Sequence, residues 1–427
     1  MRFRWRSLVA VSALVATGAV VACTVADESF RPDPVYAYDA ATFDRAPPPP
    51  PGPDAAIPTL SCGDAGDAPP RLLVVNEEQP ELVAFNLDTL TVDGRYSLDG
   101  GAGVTSSSAN RDPWLVDRAN DLVTRLDARE PWKPVATWDV HGNDGAGGSA
   151  PSVVVQVSCT KAYVLRANRD RIAIIDPSQS GGTPTGFVDL SSFHALGDPG
   201  LLELVSAVWV PAKKKVFVLA GNIDPGATSE PFGLACTALK PTVFAIDIAT
   251  DAVVSLAGKG PAGSIELAGY DAISLLYDAP FDRLVVLSAG CYAGGGVAQP
   301  QRRVVEQVDL ATGAVKTLLT FVASPRPSGL TLLDGDHAVV TFGTRGSYWN
   351  PHESALGPEI AGPLELAALD GKGGLAGSRR LADGGFELVG VPLDFDAGAS
   401  EGPRAFVSDP FSTPGGRAAS LEPWPHR

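Results

Sequence analysis

The sequence predicts an all-β fold, a β-propeller built from four-stranded antiparallel blades. The main signal is a repeated phrase, in which an apolar strand ends at an Asp or Asn and a tight turn leads into another strand. The phrase reads TVFAIDIATDAVVSLAG at 242–258, RVVEQVDLATGAVKTLLT at 303–320 and ELVAFNLDTLTVDGRYSL at 81–98. The high content of Gly (46) and Pro (37) also favours many turns over long helices.

Six marker residues end the first strand of the phrase, and each follows a large apolar residue. Asp and Asn suit this position because their side chains accept hydrogen bonds from backbone two residues further on. The markers are Asn86, Asp127, Asp176, Asp247, Asp309 and Asp370. A short apolar strand such as KAYVLRAN precedes each marker strand, and most have a third before it, such as SVVVQVSC. Each unit therefore contains four strands, which we name a to d.

Repeating four-stranded units bury their faces against one another as the blades of a propeller. We predict a single propeller domain over residues 71–427, with seven blades favoured and six as the alternative count. Pairing between the two chain ends would close the ring. Strand a of the first blade is the weakest assignment, and AIPTLSC at 56–62 is its candidate.

The N-terminus predicts export and lipidation. Arg2, Arg4 and Arg6 precede an apolar stretch at 8–22 that is short for a membrane span, and Val-Val-Ala-Cys follows at 20–23. This pattern resembles a bacterial lipoprotein signal peptide over residues 1–22, with Cys23 as the acylated residue. Thr24, by resemblance to Gram-negative lipoproteins, favours the outer membrane. The alternative is an ordinary signal peptide with an incidental cysteine.

Residues 23–70 are predicted to be a linker that joins the lipidated cysteine to the propeller. They contain PPPPPGP at 47–53, which favours an extended polyproline II spacer. The formal net charge of −16 argues against a nucleic-acid partner, because phosphates require a basic surface. The expected partners are the membrane, through the lipid anchor, and an unknown envelope protein or glycan.

The phrases AIDIATDAVV and QVDLATGAVK, each after a strand such as VFVLAGN, resemble the YVTN-type seven-bladed β-propeller repeat family. The resemblance covers most of residues 71–427, and AYVLRAN at 162–168 is the best copy of the family's own motif. The family includes surface-layer proteins, cell-envelope proteins and lactonase-like enzymes. It implies a fold more than a function, and no lactonase catalytic residue matches a position of this sequence.

Long b–c insertions are predicted in three neighbouring blades, at 221–241, 289–302 and 343–363. In a propeller these loops open on the same face as the d–a connections, and long loops often carry binding residues. We therefore expect a raised binding rim, and unselected loop decoration is the alternative. The candidate rim residues are Phe232, Tyr292, Tyr348, Trp349, His352 and Glu353.

Four cysteines remain beside Cys23, an even number that suits disulfides in an exported protein. Cys236 and Cys291 fall in equivalent loops of adjacent blades, so their pairing is preferred. Cys62 and Cys159 then pair by elimination, although a free thiol at Cys159 is the alternative.

The sequence contains no motif typical of a catalytic nucleophile, a phosphate-binding loop or a zinc site. His141 and His194, with Asp144 and Asp198 nearby, are the closest approach to a metal-ligand set, and solvated loops are the simpler interpretation. No catalytic residue, cofactor or metal ligand is assigned. A divalent metal at the mouth of the central channel is the one cofactor left open.

These observations favour a cell-envelope lipoprotein whose propeller serves as a binding or interaction scaffold. The first alternative is a propeller hydrolase, lactonase or lyase with a metal or acidic site at the central channel. The second is a passive structural lipoprotein.

Overall fold

The computed structural model describes the larger part of the predicted propeller domain. The described residues are 68–76, 81–98, 103–107, 112–144, 147–193, 202–222, 228–229, 233–234, 240–256, 263–291, 302–321, 325–360, 364, 366–369, 375–380, 386–391, 404–405 and 418–424. The predicted signal peptide and linker, Cys23 included, lie outside these ranges.

The fold is all-β, as predicted, and consists of small antiparallel sheets. Blade 1 contains β1 Arg71–Asn76, β2 Glu81–Asn86 and β3 Thr91–Ser97. Blade 2 contains β4 Gly103–Ser107, β5 Pro113–Asp117, β6 Leu122–Leu126 and β7 Pro134–Asp139. Blade 3 contains β8 Pro151–Ser158, β9 Lys161–Arg166, β10 Arg171–Ile175 and β12 Gly186–Asp189. The short strand β11 Gly181–Gly182 pairs in parallel with β7 at the outer edge of blade 2.

The remaining blades follow in chain order. Blade 4 contains β13 Leu204–Val210, β14 Lys215–Ala220, β17 Thr242–Asp247 and β18 Ala252–Val254, and blade 5 contains β20 Ala272–Asp278, β21 Arg283–Ser288, β22 Val304–Asp309 and β23 Val315–Thr320. Blade 6 contains β24 Gly329–Leu332, β25 Ala338–Phe342 and β26 Arg345–Trp349. Blade 7 contains β27 Leu366–Leu369, β28 Leu375–Arg380, β29 Phe386–Val391 and β30 Arg404–Ala405. Three further strands are β15 Thr228–Ser229, β16 Gly233–Leu234 and β19 Ile265–Glu266, of which β19 joins blade 4. Helical structure in the described residues is limited to short 3-10 turns, including Ser191–Phe193, Pro211–Lys213 and Ala279–Phe281.

The last strand, β31 Ala418–Trp424, completes the first blade. It pairs with β1 from Arg71↔Trp424 to Asn76↔Ala418, so the two ends of the domain share one sheet. The predicted closure is therefore confirmed, and β31 rather than AIPTLSC supplies strand a of blade 1. Six sheets contain four or five strands, and the sheet of β24, β25 and β26 contains three.

The inner strands contact one another in a closed cycle, from β31 to β4, β8, β13, β20, β24, β27 and back to β31. This cycle gives seven blades around a central channel. The core lies in layers between neighbouring blades rather than at one centre. Strands b and c are therefore buried on both faces, as in KVFVLA of β14, which explains their near-continuous apolar sequence.

Five of the six predicted markers form the expected turn after strand c. For example, Asp309 Oδ1 accepts hydrogen bonds from the backbone N–H groups of Ala311 and Thr312 at 3.0 and 2.7 Å. Asn86, Asp127, Asp176 and Asp247 accept equivalent bonds. Asp370 is the exception, because β27 before it is strand a of blade 7, and Asp370 itself lies outside the described residues.

Blade 6 also differs from the prediction. The expected insertion at 343–363 is instead a two-residue turn, then strand c, then a return segment along its edge. Ile360 N–H donates to the Gly346 oxygen at 2.8 Å, and Leu364 N–H donates to the Thr344 oxygen at 2.9 Å. The return segment thereby takes the place of a regular strand d. Within the described part of the chain, no helix is long and apolar enough to span a bilayer.

Candidate functional site

The two ends of the blades define two faces of the propeller. We call the face with the b–c turns and d–a connections the upper face, and the face with the a–b and c–d turns the lower face. Strand b ends and strand c begins on the upper face in blades 4 and 5, and most of the predicted insertions between them lie outside the described residues. The blade 4 insertion contains a small hairpin, in which β15 pairs with β16.

A repeated backbone arrangement shapes the upper end of the channel in blades 3, 4 and 5. The residue directly before each inner strand has a left-handed backbone, with φ of 50° at Ala150, 49° at Glu203 and 50° at Asp271. Its carbonyl oxygen accepts a hydrogen bond from the first residue after strand b, for instance from Gly221 to Glu203 at 2.9 Å. Because the inner strands line the channel, Glu203 and Asp271 stand at its mouth, on adjacent blades.

Glu203 is the least compensated acid of this mouth. Within the described ranges its carboxylate accepts no hydrogen bond and forms no ion pair. Burial, reinforced by the charge of Asp271, raises the pKa of Glu203 to about 8, and the charge of Arg118 opposes the shift. The carboxylate occupies space that only glycine leaves open, since a Cβ on Gly221 would collide with Oε2 of Glu203.

Asp271 differs from Glu203 because it has a partner. Arg326, from the connection between blades 5 and 6, donates a hydrogen bond to Asp271 Oδ2. Both side chains are largely buried, with Arg326 17% exposed and Asp271 11% exposed. Burial nevertheless raises the pKa of Asp271 above its ordinary value, against the lowering effect of Arg326. The mouth therefore combines a paired acid, an unpaired acid and the exposed guanidinium of Arg118 from blade 2.

This arrangement has two chemical capacities. A carboxyl with a pKa near neutral can exchange a proton with a ligand. It can also become ionised when a cationic group supplies the missing partner. In the part of the chain that the structure describes, no group of three or more His, Cys, Asp or Glu side chains could hold a metal ion.

The possible metal set near His141 has structural partners instead. His141 Nδ1 lies 2.7 Å from Asp121 Oδ2, and Asp144 is ion-paired with the buried Arg166 at 2.5 Å. The Arg166 hydrogen bond and charge hold the pKa of Asp144 below its ordinary value despite its burial. His194 and Asp198 lie outside the described residues.

The predicted rim is wrong at two of its aromatic residues. Tyr348 and Trp349 are 4% and 1% exposed, because they belong to β26 and pack in the core on either side of blade 6. Gly343, with φ of 67°, permits the tight turn by which β25 leads directly into β26. The sequence RGSYW therefore belongs to a strand and not to a loop.

His352 and Glu353 follow β26 and lie on the lower face, opposite to the predicted one. His352 Nε2 is 3.1 Å from Asp336 Oδ1, and its ring meets that of Phe281 edge-on at 5.0 Å. Phe232 and Tyr292 fall outside the described residues, so their part of the rim stays a prediction. Of the six candidates, none is shown at the channel mouth.

Sequence analysis missed Glu203, Asp271, Arg326 and Arg118. One local signal was present, since an acid directly precedes inner strand a in both ELVSAVWV and DAISLLYD. Aligning the copies on strand a rather than on strand c would have put the two acids at one position. Their proximity to the arginines depends on how the blades pack around the channel, for which no local signal exists.

The chain matches no protein-family model and no curated protein. Among solved structures, it is similar to a hypothetical selenium-binding protein from Sulfolobus tokodaii, with TM-score 0.56 and 9% identity over 85% of this chain and 94% of that one. Hydrazine synthase of Kuenenia stuttgartiensis gives TM-score 0.55 and 12% identity over 82% of this chain and 100% of that one.

A functionally unknown protein from Desulfotomaculum acetoxidans gives TM-score 0.51 and 12% identity, and 78% of this chain covers 99% of that one. At such low identity these likenesses show a shared propeller fold and nothing about activity.

Proposed function

We propose that the protein is a lipid-anchored scaffold of the cell envelope, whose propeller binds its partner on the upper face around the channel mouth. The observation that carries this proposal is Glu203, an acid at the mouth that lacks a partner among the described residues. A cationic group on the partner, such as an amine, would form an ion pair with the Glu203 carboxylate and stabilise its charged form. The insertions of blades 4 and 5 open on the same face and would enlarge the contact.

Photo-crosslinking in intact cells tests which face binds. A photoreactive residue replaces Ala119, in the upper b–c turn of blade 2, or Ala249, in the lower c–d turn of blade 4; both are exposed alanines. We expect a discrete crosslinked product from position 119 and none from 249. Glu203→Gln should reduce the product about fivefold or more, since it removes about 1 kcal/mol or more of charge interaction. An equal product from both positions, or none from either, would refute the proposal.

The anchor is the second part of the proposal. Acylation of Cys23 would hold the domain at the membrane, because each buried methylene of the acyl chains contributes about 0.8 kcal/mol. The full chain should sediment with membranes and incorporate labelled palmitate. Cys23→Ser should lose the label and move to the soluble fraction, and a variant that keeps its label would eliminate Cys23 as the attachment site.

Disulfides between Cys236 and Cys291, and between Cys62 and Cys159, fit an exported protein. Both cysteines among the described residues, Cys159 and Cys291, are disulfide-bonded, which supports the presence of disulfides without identifying their partners. Their expected partners lie outside the described ranges. Mass mapping of non-reduced peptides should yield these two linked pairs and no other.

A hydrolase or lyase is the second candidate function, and the pKa of Glu203, about 8, favours it because a general acid–base works best near its own pKa. Dihydrocoumarin hydrolysis by the purified chain is a direct test of lactonase activity. Turnover that Glu203→Gln abolishes would support this candidate, whereas no turnover, or turnover that survives the substitution, would dismiss it.

A further inference from the structure

A lateral cleft separates the outer strands of blades 2 and 3, away from the channel mouth. The c–d loop of blade 3 reaches back across this gap and adds β11 to the edge of β7, with Gly181↔Thr137 and Gly182↔Trp138 as backbone partners. The cleft has a volume of about 380 Å³. This volume lies in the range that small-molecule sites occupy.

One wall of the cleft is an exposed aromatic ring. Phe187, on β12, is 38% exposed, so part of its ring can contact a ligand. The guanidinium of Arg166 lies 4.9 Å from the ring centroid and backs it. Arg166 is fully buried and is itself fixed by hydrogen bonds to the carbonyl oxygens of Arg171 and His141 at 3.0 and 3.1 Å. The ring is thus held in place while part of its surface faces water.

The other walls carry small polar groups with hydrogen-bonding capacity to spare. Asn143 and Thr183 are exposed, and their side chains make no hydrogen bond to another described residue. Asp139 accepts the His141 N–H with Oδ1 at 2.9 Å, which leaves Oδ2 for a ligand. An amide, a hydroxyl and a carboxylate beside an aromatic ring offer donors and acceptors on one side and an apolar face on the other.

The charges around the cleft are mostly compensated. Asp144 pairs with Arg166, and Arg171 pairs with Asp189 at 3.2 Å. Asp139 alone is without a cationic partner among the described residues. A phosphate or sulfate would meet this acid and find no unpaired cation, so the lining favours a neutral polar ligand.

The cleft is also preorganised. The lining residue His141 is held with its Nδ1 at 2.7 Å from Asp121 Oδ2, and the lining residue Asp144 is held by its ion pair with the buried Arg166. Gly142, with φ of 69°, brings the backbone so close to Arg166 that an added Cβ would lie 2.9 Å from Arg166 Nη1. A site whose walls are fixed before binding loses less entropy when it takes up a ligand.

From these features we propose that the lateral cleft binds a short neutral saccharide. The C–H face of a sugar ring would lie on Phe187, and its hydroxyl groups would bond to Asn143, Thr183 and Asp139. Saccharides fit because each ring combines an apolar C–H face with hydroxyl groups that both donate and accept hydrogen bonds.

Saturation-transfer NMR on the full-length chain in detergent tests this proposal. The probes are maltose, N,N′-diacetylchitobiose, methyl α-mannoside and methyl β-galactoside. We expect transfer to ring C–H protons of at least one probe. Phe187→Ala should weaken that probe's binding about tenfold, which corresponds to about 1.4 kcal/mol, and Phe187→Trp should retain it.

Phe281→Ala is the matched control, because Phe281 is 45% exposed but lies on the lower face between blades 5 and 6. It should leave saccharide binding unchanged, as should Glu203→Gln, which separates this site from the channel mouth. Thermal melting of each variant checks that it folds. If none of the four probes receives saturation, or if Phe187→Ala and Phe281→Ala bind alike, the cleft is not a saccharide site.

Discussion

On the lower face, two surface ion pairs join neighbouring blades, whereas on the upper face two carboxylates, those of Asp121 and Glu203, lie buried or half-buried. Lys161 of blade 3 is 2.9 Å from Asp251 of blade 4, and Lys213 of blade 4 is 2.5 Å from Asp282 of blade 5. On the upper face Asp121 is 6% exposed and organises a loop, while Glu203 has no partner among the described residues.

The lower-face ion pairs link neighbouring blades, whereas the unpaired carboxylate of Glu203 lowers the stability of the fold. Surface ion pairs keep much of their hydration and contribute little to stability, so the apolar layers between the blades supply most of the cohesion. A half-buried carboxylate without a partner opposes folding, and a fold keeps such a group most readily where it is used. The contrast directs attention to the upper face.

The largest effect is expected at Asp121. Its Oδ1 accepts hydrogen bonds from the Ser149 N–H, the Ser149 hydroxyl and the Ala150 N–H at 2.7, 2.8 and 2.9 Å. Asp121→Ala leaves these donors unpaired and should lower the free energy of unfolding by about 3 kcal/mol in urea titration. Asp121→Asn keeps one acceptor oxygen and tolerates the left-handed φ of 57°, so it should lose much less. Equal losses would mean that charge, not hydrogen bonding, matters here.

An intermediate effect is expected from Glu203, and it depends on pH. Its pKa in the folded protein, about 8, is above the ordinary value of 4.5, so the folded state holds the proton more tightly than the unfolded chain. The stabilising contribution of the protonated Glu203 side chain is complete below pH 4.5, and it is lost as the pH rises to about 8. Glu203→Gln removes this loss and should be more stable than wild type by about 2 kcal/mol near pH 8, with little difference near pH 5.

Denaturation of both proteins across this pH range measures the difference. Glu353→Gln, which changes an exposed acid on the lower face, is the control and should give a pH profile parallel to that of wild type. A Glu203→Gln profile parallel to wild type would show that Glu203 is better solvated than its position suggests.

The smallest effect is expected on the lower face. Lys213→Ala removes the ion pair with Asp282. In this pair the Lys213 side chain is 36% exposed and the Asp282 side chain is 44% exposed. The free energy of unfolding should change by less than about 1 kcal/mol, and the change should shrink at high salt because exposed charges are screened. A loss as large as that of Asp121→Ala would erase the distinction between the faces.

Much of the fold could be predicted because its turns are local. A marker such as Asp309 binds backbone two and three residues away, so its role depends on a few neighbouring residues. The same logic failed at Asp370, since an apolar strand followed by an acid occurs after strand a as well as strand c. The strand β31 gave little signal, because AASLEPW is short in apolar residues and contains Pro423.

The candidate site was harder to predict because its residues come from distant positions. Arg118, Glu203, Asp271 and Arg326 belong to different blades and come together only when those blades pack around the channel. Tyr348 and Trp349 show a different error, in which the long interval between Asp309 and the wrongly assigned marker Asp370 suggested a loop, whereas both residues belong to a buried strand. Burial depends on what packs against a segment, and one segment's sequence does not contain that information.

The join between β1 and β31 also sets an order of events. During synthesis β1 emerges first and β31 last, so the first sheet to begin is the last to be finished. Until then the backbone of β1 is an open edge, to which another chain could add a strand. Contacts between such distant residues form slowly. A chain that ended before Ala418 would keep this edge permanently, and self-association rather than simple loss of stability is the failure to expect from it.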